Sequence, residues 1–326
     1  MPILSIIIPC YNVARFLPQT LRSLRELSDA NDVEFIFIND GSTDDTLALL
    51  QTFAADDRRA IVMDQPNLGV AQARNNGMQR MTGEYMLLLD GDDWLDANAV
   101  TCIREHLHGA DALLPNIRII TDPGTPTPKI ILPEGVYTPD ELFRMFAVFP
   151  VAPQLIYKTS VIREHQLQFN PLMQAGEVFD FTMQHLAHCS SVATTNQAFY
   201  NYIFHPASAT HLPNPEADRT VLRLLDRQQA LQTPWKNSYC LQATLFKLIT
   251  SFTYNKYLKS GLLDEPFVAV VEAIDADPRF RKIVRYLSRH SLRQPKILLL
   301  AAYLRLLPIR WGYRCAAKAY GAIRRK

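Results

Sequence analysis

The sequence predicts an α/β fold with a mostly parallel central sheet, followed by a helical C-terminal region. Three features carry that expectation. Over the first 110 residues, short apolar runs rich in β-branched residues alternate with segments of helical period, the pattern of strands joined by helical crossovers. Polar clusters follow three of those runs, and ligands of open parallel sheets gather beyond the carboxyl ends of the strands. From about residue 216 onward the pattern is mostly helical.

The elements follow in order. Leu4–Ile8 reads as a buried strand closed by a proline turn, and Ala14–Leu27 as a helix with Phe16, Leu17, Leu21, Leu24 and Leu27 on its apolar side. Glu34–Ile38 is a second strand and Thr43–Phe53 a second helix, with Ser42 or Thr43 available as its cap. Ala60–Met63 is a third strand, and Gly69–Met81 a helix that opens at a glycine. Tyr85–Leu89 is a fourth strand that runs into acidic residues, followed by a helix near Ala97–His106. Beyond residue 110 the pattern loosens. Asp122–Pro133 is a Pro- and Thr-rich loop, residues 150–205 mix short strands with a helix near Phe179–His188, and a boundary falls near His211–Pro215. The expected domains are therefore 1–211, divided into 1–110 and 111–211, and 216–326.

Composition narrows the class. With 326 residues, 48% of them hydrophobic, the chain can bury one large domain with an appendage, or two domains. Fourteen of its 34 basic residues lie in 279–326 with no acid among them, which leaves 20 basic against 32 acidic residues elsewhere. Such asymmetry points to a basic tail with an anionic partner. The five cysteines are scattered without a CxxC pair, which argues against a disulfide framework or zinc site and for a reducing cytosol. Ile3–Pro9 lacks the basic leader and cleavage site of a signal peptide, and the apolar run Ile297–Tyr303 is too short to span a bilayer.

The chemistry concentrates in four segments. In Leu87–Leu95 a buried strand runs into Asp90, Asp92 and Asp93. Like charges packed this closely need a cation or donors to offset their repulsion, and a hard divalent ion bridging phosphate oxygens meets that need. Such an ion also stabilises charge on a leaving diphosphate. The bland alternative is an acidic turn capping the next helix. In Ile36–Asp44 a strand ends in Asp40, which can accept from a nucleobase N–H, and Gly41 permits a tight turn. In Ser5–Asn12 the loop of Pro9, Tyr11 and Asn12 can lay backbone against a flat ring. In Asn67–Gly77 a helix N-terminus favours anions, Gly69 allows close approach, and Arg74 can reach a base or a phosphate. A plain strand–turn–helix connection and a surface arginine are the corresponding ordinary readings.

Together SIIIPCYN, INDGSTDDT, NLGVAQARNNG and TGEYMLLLDGDDWL resemble, in order and spacing, the nucleotide-binding half of family-2 inverting glycosyltransferases. The resemblance covers residues 3–110 closely and continues more weakly to about 211. It implies a GT-A fold, a uridine-diphosphate sugar as donor, and manganese or magnesium as cofactor. It also implies that Asp40 reads the uracil, Asp92 lies near ribose and metal, Asp93 binds the metal and Asp90 supports them from the strand end. The family's general base sits in an acidic pair, commonly GED with a Phe shortly after. Here Gly176–Phe181 keeps Glu177 and Phe181, but Val178 stands where the Asp would, so the resemblance implies Glu177 or Asp180, one helical turn on, as base; acids that merely decorate a helix N-terminus are the bland alternative. Phe199–Thr210 resembles the segment ending in YxYR and SxT, with Ile203 or His205 in place of the Arg and His205 a candidate diphosphate contact.

The tail Pro295–Arg314 mixes Leu, Ile, Trp311 and Tyr313 with Lys and Arg, which suits a helix lying in an anionic membrane interface. No recognition motif accompanies the charge, so nucleic acid is not an expected partner. The expected protein is a glycosyltransferase peripheral on the inner face of the cytoplasmic membrane. Its acceptor is a glycan or glycolipid of surface polysaccharide or lipooligosaccharide synthesis. A non-catalytic nucleotide-sugar-binding descendant is the alternative that Val178 sustains. A sugar nucleotidyltransferase would need a Gly-rich loop, and Pro9–Phe16 contains no glycine. The GxGxxG of a dehydrogenase and the GxxxxGKS or GxxxxGKT of a P-loop enzyme do not occur.

Overall fold

The structure, a computed structural model, describes residues 2–28, 30–121, 127–128, 134–146, 149, 155–204, 214–251, 270, 272–274 and 276–290. The chain forms two compact units: Met1–Glu141 with Pro150–Pro171 and Glu177–His205, and Leu142–Phe149 with Leu172–Gly176 and Pro206–Lys326. The first unit thus closes near residue 205 and cedes two short segments to the second. The expected boundary at His211–Pro215 lies mostly outside the described residues.

In the first unit, β1 (Leu4–Cys10), α1 (Leu17–Arg25), β2 (Val33–Asp40), α2 (Thr46–Asp56), β3 (Ala60–Gln65), α3 (Val70–Met78), β4 (Tyr85–Leu88), β5 (Trp94–Leu95) and α4 (Ala99–Leu107) follow the expected alternation. Then come β6 (Ala112–Thr121), β7 (Thr127–Pro128), β8 (Gly135–Tyr137), α5 (Pro139–Met145, shared with the second unit), β9 (Ile156–Lys158), α6 (Thr159–Glu164), α7 (Glu177–Leu186) and β10 (Val192–Phe204). The sheet runs β3-β2-β1-β4-β9-β6-β10-β5, with β7 on β6 and β8 on β10. The first four strands are parallel, so Cys10, Asp40, Gln65 and Leu88 end at one edge. β9 enters antiparallel between β4 and β6, and β10 runs parallel to β6.

Local chemistry explains where the elements depart from expectation. α1 starts at Leu17, not Ala14, because Pro18 fits only in a first turn. Leu17, Leu21 and Leu24 then share the buried side of that helix. α2 starts at Thr46 with Asp45 at its cap, not at Thr43, since the Thr43 N–H is already held by Asn12 and the Thr46 N–H by Asp44 Oδ1. β1 runs through Pro9 to Cys10 instead of stopping at the proline. Where several short strands are expected over 150–205, the chain instead forms the short β9 and a continuous strand of 13 residues, β10, bent by register shifts between Thr194, Ala198 and Tyr200. The core beneath the α1 and α2 face includes Phe35, Phe37 and Phe53, with the last two rings 5.6 Å apart and edge to face. Each such buried ring contributes about 1.5–3 kcal/mol.

The second unit is helical where it is described: α8 (Pro215–Arg219), α9 (Arg223–Ala230), α10 (Tyr239–Thr250) and α11 (Pro278–His290). Phe143 stacks on Phe149 and Trp235 at 4.9 and 4.3 Å. Phe280 of α11 lies parallel to Phe246 of α10 at 5.9 Å, which turns the apolar side of α11 inward and leaves Arg281, Lys282 and Arg285 exposed. The interfacial segment expected at Pro295–Arg314, His205, and the loop 122–133 apart from Thr127–Pro128 lie outside the described residues. Among the described residues no helix is long and apolar enough to cross a membrane.

Candidate active site

The loops that follow β1, β2 and β3 are tied to one another at one end of the sheet. The Asn12 N–H donates to Ser42 Oγ at 3.0 Å, and Asn12 Oδ1 accepts from the Thr43 N–H at 2.8 Å. Asn12 holds φ +51°, a left-handed conformation that asparagine tolerates. Asp44 Oδ2 accepts from the Ala14 N–H, and Thr46 Oγ1 from the Val13 N–H. Burial raises the Asp44 pKa, but the bonds from Thr46 and Ala14 outweigh it and leave the carboxyl below its ordinary value. Asp40 ties the third loop: buried at the end of β2, it accepts from Gln65 Nε2, Leu68 N and Gly69 N at 2.7, 2.8 and 2.9 Å. Gly41, at φ +71°, admits that approach, because a Cβ there would lie 2.6 Å from the Asn67 nitrogen. Gly69, at φ +86°, opens α3. Tyr11 and Leu68 stand exposed on the first and third loops, at 50% and 52% of their surface.

The acidic turn after β4 sorts its three carboxylates. Asp93 turns inward and is fully buried; its Oδ2 accepts from Tyr200 Oη and its Oδ1 from the Ile203 N–H, both at 2.8 Å. Burial first, then the charges of Asp90 and Asp92, push its pKa well above the carboxylate range. Asp90 and Asp92 remain half-buried at the surface of the turn. Thr20 Oγ1 of α1 fixes the turn from below through the carbonyls of Gly91 and Asp93. The expectation that Asp93 binds a metal meets this geometry badly, since both its oxygens already serve buried donors. Asp90 and Asp92 are hard oxygen donors of the kind that would hold Mn2+ or Mg2+. Among the described residues no group of three or more acidic, His or Cys side chains would hold a metal alone.

Arg74 joins this turn to α7. Its Nη2 donates to Asp90 Oδ1 at 2.8 Å and its Nη1 to Glu177 Oε1 at 2.7 Å. Only 3% of its side chain is exposed, against 31% of Asp90 and 13% of Glu177. Burial alone would lower the guanidinium pKa, but the two carboxylates overcome it and raise it. Arg74 is thus not a surface residue; its two terminal nitrogens face carboxylates. Asp180, the second candidate base, is 2% exposed and accepts from Gln184 Nε2. The two acids of α7 therefore do not share one environment, and Glu177 is the more accessible. Val178 is half-buried beside it.

Sequence reasoning missed Tyr200 and the Ile203 N–H as the groups that seat Asp93. The YNYI segment signals them only once β10 is known to pass behind the acidic turn. Of the histidines read as siteless helix residues, His185 is buried, with Nε2 3.3 Å from the Lys158 carbonyl, while His188 stacks on His165 at 3.7 Å.

Comparison with known proteins places these observations. Residues 5–165 match the sequence family described as Glycosyl transferase family 2. The teichoic acid poly(glycerol phosphate) polymerase of Staphylococcus epidermidis is 27% identical over 205 residues, 60% of this chain and 28% of the polymerase. Coverage of such bacterial relatives is low, 14% and 28% of their own length in two cases. The crystal structure of S. aureus TarS in complex with UDP-GlcNAc superposes with a TM-score of 0.69 at 18% identity, covering 99% of this chain and 92% of that one. The mannosyltransferase PcManGT from Pyrobaculum calidifontis, in complex with GDP-Man and Mn2+, gives 0.54 at 15% identity, covering 99% and 86%. At these identities the structural likeness is one of fold.

Proposed function

We propose, for a chain whose residues 5–165 belong to glycosyl transferase family 2 and whose fold is GT-A, that it transfers a sugar with inversion from a uridine-diphosphate donor to a hydroxyl of a cell-surface glycan or lipid-linked acceptor. The observation that carries the reading is the Arg74 bridge, which brings Glu177 to the same strand end as Asp90. A donor site and a candidate base are thereby held together, as transfer from a bound donor to an incoming hydroxyl requires. The likeness to a teichoic acid polymerase supports the acceptor class, and the UDP-GlcNAc of TarS supports a uridine nucleotide.

In this reading the loops of Pro9, Tyr11, Asn12, Asp40 and Gly69 form the nucleotide wall. Tyr11 covers the base, and Asp40 acts chiefly by holding the Leu68–Gly69 backbone in place. Asp92, supported by Asp90, holds Mn2+ or Mg2+. The ion, when bound, stabilises the charge that gathers on the departing diphosphate. Glu177 accepts the acceptor's hydroxyl proton through Oε2, while Oε1 stays on Arg74. Asp93 keeps the acidic turn in shape. The basic chain from Arg279 onward holds the protein against an anionic membrane on its cytoplasmic face.

Val178 favours a second reading, a nucleotide-sugar binder without transfer. A donor screen separates the two: purified protein, Mn2+, and a panel of uridine- and guanosine-diphosphate sugars, with released nucleoside diphosphate as readout. Release from one donor that a chelator abolishes establishes metal-dependent cleavage of the donor, which a pure binder lacks, and identifies the sugar. Nucleotide binding without release from any donor, even with glycan acceptors added, supports the binder.

A further inference from the structure

Sequence reasoning puts Arg74 at the nucleotide, but the structure gives its guanidinium other work. We infer that Arg74 is a positioning residue, one that locks the Glu177 carboxylate at a fixed distance from the acidic strand end without touching the nucleotide. The inference rests on Glu177 being the base.

Three observations carry it. The two terminal nitrogens of Arg74 are committed to two different carboxylates, Glu177 Oε1 at 2.7 Å and Asp90 Oδ1 at 2.8 Å. A guanidinium is planar and rigid, so two bonds from one fork set the separation of their acceptors; a lysine ammonium cannot do this. Second, the group is enclosed. The side chain is 3% exposed, the carbon between its nitrogens lies 5.5 Å from the centre of the Phe169 ring, and its Nε is buried without a hydrogen bond among the described residues. Almost none of its surface is left for a phosphate or a base. Third, a separate line of contacts fixes the same two helices. Asn75, next to Arg74 on α3, accepts from the Phe169 N–H at 2.8 Å and donates to the Phe169 carbonyl at 2.9 Å. The Phe169 ring stacks at 4.2 Å on Phe181, one turn along α7 from Glu177. The placement of Glu177 against α3 is therefore set twice, once by charge and once by packing.

The chemical consequence is an oriented base. One oxygen of Glu177 is held and the other is left to receive a proton, the arrangement in which a third group aims a base. Asp90 anchors the far side of the fork, so the base and the donor's acidic turn move as one piece.

The test compares Arg74→Lys, Glu177→Gln and the double variant, each checked for folding by thermal melting. Arg74→Lys is expected to lower kcat for transfer at least 30-fold while donor KM and the UDP dissociation constant stay within about 3-fold. In the Glu177→Gln background the same change should cost less than about 3-fold more. UDP affinity that falls in step with kcat/KM would make Arg74 a nucleotide ligand, and losses that multiply in the double variant would unlink it from Glu177; either overturns the inference. Transfer by Glu177→Gln at the wild-type rate refutes the base assignment instead, and is recognised separately because it involves no change at Arg74. If Arg74→Lys does not fold, Arg74→Met/Glu177→Met removes the buried charge together with one partner. UDP affinity within 3-fold of wild type then supports the inference, and a 30-fold weakening overturns it.

Discussion

Within the first unit, the stretch up to residue 110, proposed as the donor half, and the stretch after it, proposed as the acceptor half, hold their polar groups by different means. In the donor half, loops of neighbouring strands are sewn together by side chain to backbone bonds between residues about 30 positions apart, Asn12 to Ser42 and Asp40 to Leu68 among them. In the acceptor half, the groups that matter reach back across 103 to 110 positions: Glu177 to Arg74, Tyr200 and Ile203 to Asp93. The donor side is a self-supporting wall of short motifs. The contacts of the later stretch with the acidic turn span far more of the chain, and depend on the sheet having closed.

The largest expected effect tests whether the acidic turn is divided as its geometry implies. Asp92→Asn should lower metal-dependent transfer by about 10^3–10^4-fold, the size of several kcal/mol of lost charge stabilisation. UDP binding measured with a chelator present should not change. Transfer at near the wild-type rate by Asp92→Asn would refute the assignment of the metal to this residue.

On the acceptor side, Glu177→Gln should lower kcat by roughly 10^2–10^4-fold, the usual worth of a general base. Asp180→Asn should cost less than about 10-fold in kcat, because that carboxylate is buried against Gln184. Steady-state kinetics on both variants, with folding checked by circular dichroism, decide between them. The reverse order would move the base to Asp180 and leave Glu177 as a structural partner of Arg74.

These contrasts also explain what the sequence makes legible. The alternation of Leu4–Cys10, Val33–Asp40, Ala60–Gln65 and Tyr85–Leu88 with helices is local, so periodicity finds it. The carboxylates after β2 and β4 are contiguous, so motif reasoning finds them too. It does not find which way each one turns. Asp92 and Asp93 are adjacent in sequence, yet one stays half-buried at the surface of the turn and the other lies under Tyr200, a residue 107 positions on. The same limit hid the burial of Arg74. A helical arginine in a run of short residues looks exposed until α7 brings Glu177 against it. β6 escaped notice because Pro115 interrupts its apolar run, and β10 because its bulges break the period of two.

Stability measurements extend the comparison. Asp93→Ala leaves the Tyr200 hydroxyl and the Ile203 N–H buried without acceptors, at about 1–3 kcal/mol each. Asp93→Asn keeps an acceptor for Ile203 and a donor for the Tyr200 oxygen. The Tyr200 O–H loses its acceptor in both variants, so denaturant unfolding should place Asn between wild type and Ala, with metal-dependent transfer retained by the Asn variant. Loss of metal dependence in a stably folded Asp93→Asn would return Asp93 to the metal.

The acceptor half should also be the acid-sensitive one. Burial lowers the His185 pKa to about 4 from an ordinary 6.5. The unfolded chain takes up its proton near 6.5 while the folded imidazole stays neutral, so stability is full above 6.5 and declines as pH falls toward 4. At 1.36 kcal/mol per unit the decline is about 3 kcal/mol. Urea unfolding at several pH values should show a shallower acid slope in His185→Gln than in wild type. Equal slopes would place the acid sensitivity elsewhere.

The smallest expected effect probes the donor wall itself. Asn12→Ala removes the acceptor of the Thr43 N–H and the side chain that suits a left-handed backbone at that position. The bond lies at an exposed loop, so water replaces it and the loss should be about 1 kcal/mol of stability. UDP affinity should weaken more than folding does, because the two loops that Asn12 joins then lose their shared geometry without unfolding. Calorimetric titration with UDP and a thermal melt on the same preparation measure both. A change in melting with no change in UDP affinity would mean that the wall is held well enough by Asp44 and Thr46, and that Asn12 supports the fold rather than the nucleotide.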